Sequence, residues 1–114
     1  MQFSTLAFMP VAALLASTAY GAECYSQGHD TNCLNRDGAY SFRQSYCGGN
    51  EWQSNGIRYY TGSNGFRGSI DGENLPSQQS CWDSTQNIID QCIGHKNGGF
   101  YTGGGWNVNF NFCT

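Results

Sequence analysis

Eight acidic residues against five basic ones give this 114-residue chain a net charge of −3, and the basic residues (Arg36, Arg43, Arg58, Arg67, Lys96) are scattered along it. They build no basic patch or stripe, which disfavours nucleic acid and anionic membrane surfaces as partners. Sparse charge, 16 glycines, plentiful Asn, Ser and Gln and 15% aromatic residues instead imply a neutral, polar surface with aromatic spots, a composition suited to carbohydrate and ordinary for extracellular proteins.

Residues 1–21, MQFSTLAFMPVAALLASTAYG, read as a secretory signal peptide: the apolar run is too short to span a bilayer, and small residues suited to cleavage come after it. The start lacks Lys or Arg and relies on the α-amino group. Cleavage is expected after Ala19 or after Gly21, and no membrane insertion is expected of the mature chain. That mature part, 22–114, is a single domain of a size that supplies only a modest core. All six cysteines (Cys24, Cys33, Cys47, Cys81, Cys92, Cys113) fall within it. An even count in a short secreted chain argues for three disulfides rather than metal or redox chemistry. No CxxC pair occurs, so neither a zinc site nor any other cofactor is expected.

Along the mature chain, residues 22–36 show no steady period and read as an irregular arm tied down by cysteines. In DGAYSFRQSYCGG, Asp37 is placed to cap a helix, Ala39, Phe42 and Tyr46 recur at helical spacing, and Gly48-Gly49 stops the run. IRYYTGSNGFRGSID, residues 57–71, places two β-prone runs around Gly62-Ser63-Asn64-Gly65 and predicts a β-hairpin. After a polar connection containing Pro76, SCWDSTQNIIDQCIG predicts an amphipathic helix, with Ser80 and Asp83 as a capping-box-like start and Gly94 as the stop. Its apolar stripe carries Cys81, Thr85, Ile88 and Cys92, and Asp83, Asn87, Asp90 and Gln91 face outward. A second pair of strands comes next, around Phe100–Thr102 and Trp106–Phe112. The order helix, hairpin, helix, hairpin predicts an α+β fold: a two-layer sandwich of a four-stranded antiparallel sheet with two helices on one face.

In WNVNFNF, alternation sends Trp106, Val108, Phe110 and Phe112 to one side and Asn107, Asn109 and Asn111 to the other. Aromatic faces cover sugar C–H patches, and amides and acids bond sugar hydroxyls. The residues selected for glycan binding are therefore Tyr59, Tyr101, Trp106, Asn107, Asn109 and Asn111, with Asp71 as a hydroxyl acceptor. Trp106 shares parity with the apolar side and qualifies only if the strand's edge exposes its ring.

Catalytic readings are weaker. A ribonuclease would need an acid and a base converging, and no spacing among His29, His95, Glu51, Glu73, Arg58 and Arg67 fixes that convergence. His95 falls just past a helix C-terminus, where a cation complements the dipole. A glycosidase needs two carboxylates across a cleft; Asp71 and Glu73 leave the first hairpin, while Asp83 and Asp90 sit on an outer helix face. Cys81 and Cys92 lie about 16 Å apart along one helix and cannot bond each other.

The segment CWDSTQNIIDQCIGHKNGGFYTGGGWNVNF resembles small secreted fungal glycan-binding proteins typified by a lectin-like mushroom protein. Phe42-Arg43-Gln44-Ser45-Tyr46-Cys47 followed by Trp52 extends the resemblance less specifically. It implies a non-enzymatic extracellular domain that recognises glycans or glycoproteins, with a homodimer among the assemblies it allows. The first helix, Cys47-Gly48, Trp52 and the eleven-residue cysteine spacing are also similar to fungal killer-toxin and effector α/β sandwiches. That second resemblance implies the pairings Cys24–Cys92, Cys33–Cys81 and Cys47–Cys113. The expectation is thus a secreted lectin-like protein without catalysis. A killer-toxin-like antifungal or host-directed effector is the alternative, and a small secreted ribonuclease the third reading.

Overall fold

The computed structural model describes residues 21–114, and the predicted signal peptide lies outside them apart from Gly21. Strand β1 (Ala22–Cys24) is followed by helix α1 (Arg36–Gly48), a 3-10 turn (Glu51–Gln53), β2 (Gly56–Thr61), β3 (Arg67–Glu73), helix α2 (Gln78–Cys92), β4 (Gly98–Thr102) and β5 (Asn107–Asn111). The strands form one antiparallel sheet in the order β1-β4-β5-β3-β2. The sheet has five strands, not the expected four. The additional one is β1, in the segment read as irregular: three residues are too few to show a period, and their pairing is tertiary. Ala22 N–H donates to Asn87 Oδ1 at 3.0 Å on α2, and Cys24 is bonded to Cys92 at that helix's end.

Both helices begin upstream of their expected caps. Asn35, not Asp37, caps α1, its Oδ1 accepting from Gly38 N–H at 2.8 Å; Asp37 instead sits in the first turn, where a carboxylate complements the helix dipole. For α2 the box is Ser77 with Ser80 rather than Ser80 with Asp83: Ser80 N–H donates to Ser77 Oγ at 3.1 Å and Ser77 N–H to Ser80 Oγ at 3.2 Å. Pro76 disfavours helical conformation in Leu75 before it, which keeps the helix from starting earlier, and Asp83 accepts from Gln79 Nε2 at 2.8 Å one turn back. Gly94 stands just beyond the last turn with φ +88°, a left-handed conformation that favours glycine there, as its position predicted.

The two hairpins meet through β3 and β5, which makes β5 central. On the helix side, Ile70, Val108 and Phe110 pack with Ala39, Phe42, Ile88 and Ile89, all essentially fully buried. Phe42 stacks on Tyr60 at 5.3 Å and meets Phe110 edge-on at 5.5 Å, which locks α1 over β2 and β5. Arg43 ties the helices together, its Nε and Nη2 donating to Trp82 O and its guanidinium lying 4.7 Å above the Trp82 ring.

The disulfides are Cys24–Cys92, Cys33–Cys113 and Cys47–Cys81. The first agrees with the pairing that the killer-toxin resemblance implied; the other two correct its Cys33–Cys81 and Cys47–Cys113. The reason is where the elements end. Cys47 closes α1 beside the first turn of α2, where Cys81 lies. Leu34 N–H donates to Phe112 O at 2.7 Å, laying the arm along the chain's end, so Cys33 meets Cys113. Leu34 itself is fully buried, under Gly62 and Gly68, which have no side chain to obstruct it.

Candidate functional site

The face of the sheet away from the helices is built by register. Across β2, β3, β5 and β4, one row reads Tyr59, Ser69, Asn111 and Gly98, and the next Ile57, Asp71, Asn109 and Phe100; a third joins Glu73, Asn107 and Thr102. Asn107, Asn109 and Asn111 therefore share one face with Asp71 and Tyr59. Adjacent strands lie about 4.8 Å apart, so Asn109 is flanked by a carboxylate on one side and an aromatic ring on the other. Alternation places Val108 and Phe110 of the same strand in the core.

The three asparagines differ in how far their amides are committed. Asn111 Oδ1 accepts from Cys113 N–H at 2.9 Å, a local turn that holds the chain's end. Asn109 Oδ1 accepts from Tyr25 OH at 3.2 Å, which fixes the amide and leaves its NH₂ as a donor. Asn107 has no side-chain hydrogen bond among the described residues, and it is half-buried. Tyr25 reaches Asn109 because Gly98 carries no side chain: a Cβ there would meet the Tyr25 ring and the Phe110 carbonyl.

Asp71 is half-buried, and its Oδ1 is enclosed without a hydrogen-bond partner among the described residues. Glu73 comes next on the same face. The Glu73 carboxyl is held above its ordinary value, first by a hydrogen bond to Asp71, then by burial and by the Asp71 charge, with a Gly56 backbone bond opposing. Two ionised carboxylates are acceptors only, so that bond exists when Glu73 carries the proton. With both ionised, Asp71 Oδ1 is an acceptor in want of a donor. Tyr25 feels the same carboxylate: burial, then Asp71, raises its hydroxyl pKa.

Tyr59 is 52% exposed and Ile57 45%, the most exposed large apolar side chains on this face, and the Arg67 guanidinium lies 4.6 Å over the Tyr59 ring. Tyr101 and Trp106 are elsewhere. Tyr101 registers with Val108 and so points to the helix side, where it stacks on Trp106 at 5.5 Å, both partly buried against the core. Of the residues selected from the sequence, Tyr59, Asp71, Asn107, Asn109 and Asn111 are brought together, and Tyr101 and Trp106 are not. Phe100, Tyr25, Ile57 and Glu73 share the face without having been selected. Phe100 joins them through the register of the turn: with Thr102 opposite Asn107, even-numbered residues of β4 accompany odd-numbered residues of β5.

The arginines and histidines of the ribonuclease reading are divided between parts of the molecule. Arg67 belongs to this outer face, whereas Arg58, opposite Ile70, belongs to the other. His29 lies at the far end of the sheet, and His95 is exposed in the turn that closes α2. His29, Cys33 and Cys113 present ligand-type atoms within 4.8 Å of one another, but the cysteines are joined in a disulfide and offer no thiolate to a metal.

Residues 34–114 match the family model described as LDL, alpha-galactosyl binding lectin. The chain belongs to this lectin family. No curated protein and no solved structure matches it. The match begins at Leu34, the first fully buried residue of the arm, and takes in both helices, β2 to β5, Asp71 and the asparagine row. Strand β1, Tyr25 and His29 precede it. The lectin-like resemblance in the sequence is thus upheld at the level of a carbohydrate-binding family.

Proposed function

We propose that this lectin is secreted, acts without catalysis, and binds glycans that end in an α-galactosyl residue on the outer face of the sheet, over Asn109. The carrying observation is the row that sets the half-buried Asp71, Asn109 and Phe100 side by side on the outer face, with Asn107 in the next row. A sugar hydroxyl donates to the accessible part of the Asp71 carboxylate, in a charge-assisted bond. The amide NH₂ groups of Asn107 and Asn109 donate to neighbouring hydroxyl oxygens, and the apolar side of the pyranose rests against Phe100 or Tyr59. The galactosyl assignment derives from the description of the family; secretion is supported by the apolar leader and by three disulfides among the described residues.

A glycan array carrying α- and β-linked galactosides tests this reading, with Asp71→Asn as the paired variant. Wild-type protein is expected to retain α-galactosyl glycans, and Asp71→Asn to bind about 10- to 100-fold more weakly, the scale of a lost hydrogen bond to a charged group. Binding at background on every α-galactosyl glycan, or undiminished binding by Asp71→Asn, would overturn it.

A further inference from the structure

At the end of the sheet where β5 runs out, a concavity of about 550 Å³ opens, lined by His29, Asp30, Thr31, Asn32, Cys113 and Thr114. Its volume falls within the range of about 300–1,000 Å³ typical of small-molecule sites. Its walls are braced. Asp30 and Asn97 are doubly bonded, Asp30 N–H to Asn97 Oδ1 at 2.8 Å and Asn97 Nδ2 to Asp30 Oδ2 at 3.2 Å. Gly28 bridges to Lys96, and Cys33–Cys113 crosses the base of the arm.

The lining selects a chemistry. It holds two hydroxyls, an amide, an imidazole and a carboxylate, with no Lys or Arg, so it offers donors and acceptors together and no cationic counter-charge for an anion. It has too little apolar surface for a lipid or an aromatic ligand. A neutral polyhydroxylated molecule meets these groups best. The cleft also adjoins β3: Thr114, which lines it, donates from Oγ1 to Ser69 Oγ at 3.4 Å, and Thr114 N–H donates to Arg67 O at 3.0 Å. Ser69 lies one row from Asp71 on the same side of β3, about 7 Å along the strand, a gap that the next residues of a linear oligosaccharide span.

Resting on the lectin reading, we infer that the His29–Thr114 cleft is a second saccharide subsite, which takes the inner residues of an oligosaccharide whose terminal residue sits over Asn109. The protein then recognises an extended glycan rather than a single sugar.

Calorimetric titration with methyl α-galactoside and with an α-galactosyl-terminated trisaccharide decides it, in wild-type protein, His29→Ala and Asn32→Ala. Both residues are exposed, and circular dichroism verifies folding. The expected result is a wild-type preference for the trisaccharide of about tenfold, on the order of one hydrogen-bonded contact, that shrinks in each variant while affinity for methyl α-galactoside is unchanged. A wild-type protein that binds both probes equally, or variants that keep the full preference, would overturn the subsite and leave the lectin reading standing. Loss of methyl α-galactoside binding in His29→Ala would also overturn it, by moving the primary site to the cleft. No binding of either probe by wild-type protein would remove both.

Discussion

On the helix side of the sheet, Ile70, Val108 and Phe110 are fully enclosed, and two disulfides fasten the helices that cover them; one residue along the same strands, Asp71 and Asn109 stand half-buried on a face that neither described helix covers. The period of two lets β3 and β5 serve both sides, so a substitution at one position loads the core and at the next only the surface. The core side of a small domain has little stability to spare. The outer side instead presents polar side chains, Asp71, Asn107 and Asn109.

The strongest test of this division is a pair of neighbouring substitutions. Phe110→Ala is expected to cost about 3–5 kcal/mol, enough to leave the domain marginal, whereas Asn109→Ala should cost under about 1 kcal/mol and weaken glycan binding instead. Chemical denaturation of both variants measures this, and comparable losses would erase the distinction between the faces. Next in size, replacing Cys47 and Cys81 together with serine should remove about 2–5 kcal/mol. Affinity for α-galactoside in the remaining folded fraction should be unchanged, since that bridge joins α1 to α2 and touches only the core side.

A smaller effect is expected at Tyr46, a fully buried residue on the core side whose hydroxyl has no hydrogen-bond partner among the described residues and lies against Gly72. Tyr46→Phe should raise stability by about 1 kcal/mol, because it removes an unsatisfied polar group. Burial, opposed by Arg58, pushes the Tyr46 hydroxyl up to about 12. Since the unfolded chain ionises at about 10, the stability contributed by keeping this group neutral is present below about 10 and is lost as pH rises towards about 12. The alkaline decline in melting temperature should therefore be shallower in Tyr46→Phe.

The smallest effect sharpens the outer face. Because the Glu73 pKa is raised, its contribution to stability is present below the unfolded carboxylate range and fades as pH rises through the folded value. Binding should move the opposite way. As pH falls through that raised value, the Glu73 proton occupies Asp71 and competes with the ligand, so α-galactoside affinity should drop, and Glu73→Gln should alter this pH profile.

Much of this division can be read from the chain itself. WNVNFNF states its two faces outright, and the stripe Cys81, Thr85, Ile88, Cys92 names the buried side of α2. What escapes the sequence is what depends on neighbours. The three residues of β1 carry no period of their own. The faces of β4 depend on how residues 103–106 turn the chain, and reading Tyr101 rather than Phe100 onto the asparagine side misses that register. The caps Asn35 and Ser77 sit just upstream of residues that also suit the role. Disulfide partners are set by which element ends meet, and the orphaned oxygen of Asp71 is a property of packing that no local pattern encodes.

The central claim is that the glycan sits on the outer face over Asn109. Its most direct test is an amide chemical-shift titration of the ¹⁵N-labelled protein with methyl α-galactoside. Saturable shifts are expected at Asp71, Phe100, Asn107 and Asn109, with α1 and the Tyr101–Trp106 pair unmoved. Shifts confined to that aromatic pair or to the helices, with β3 and β5 silent, would contradict it.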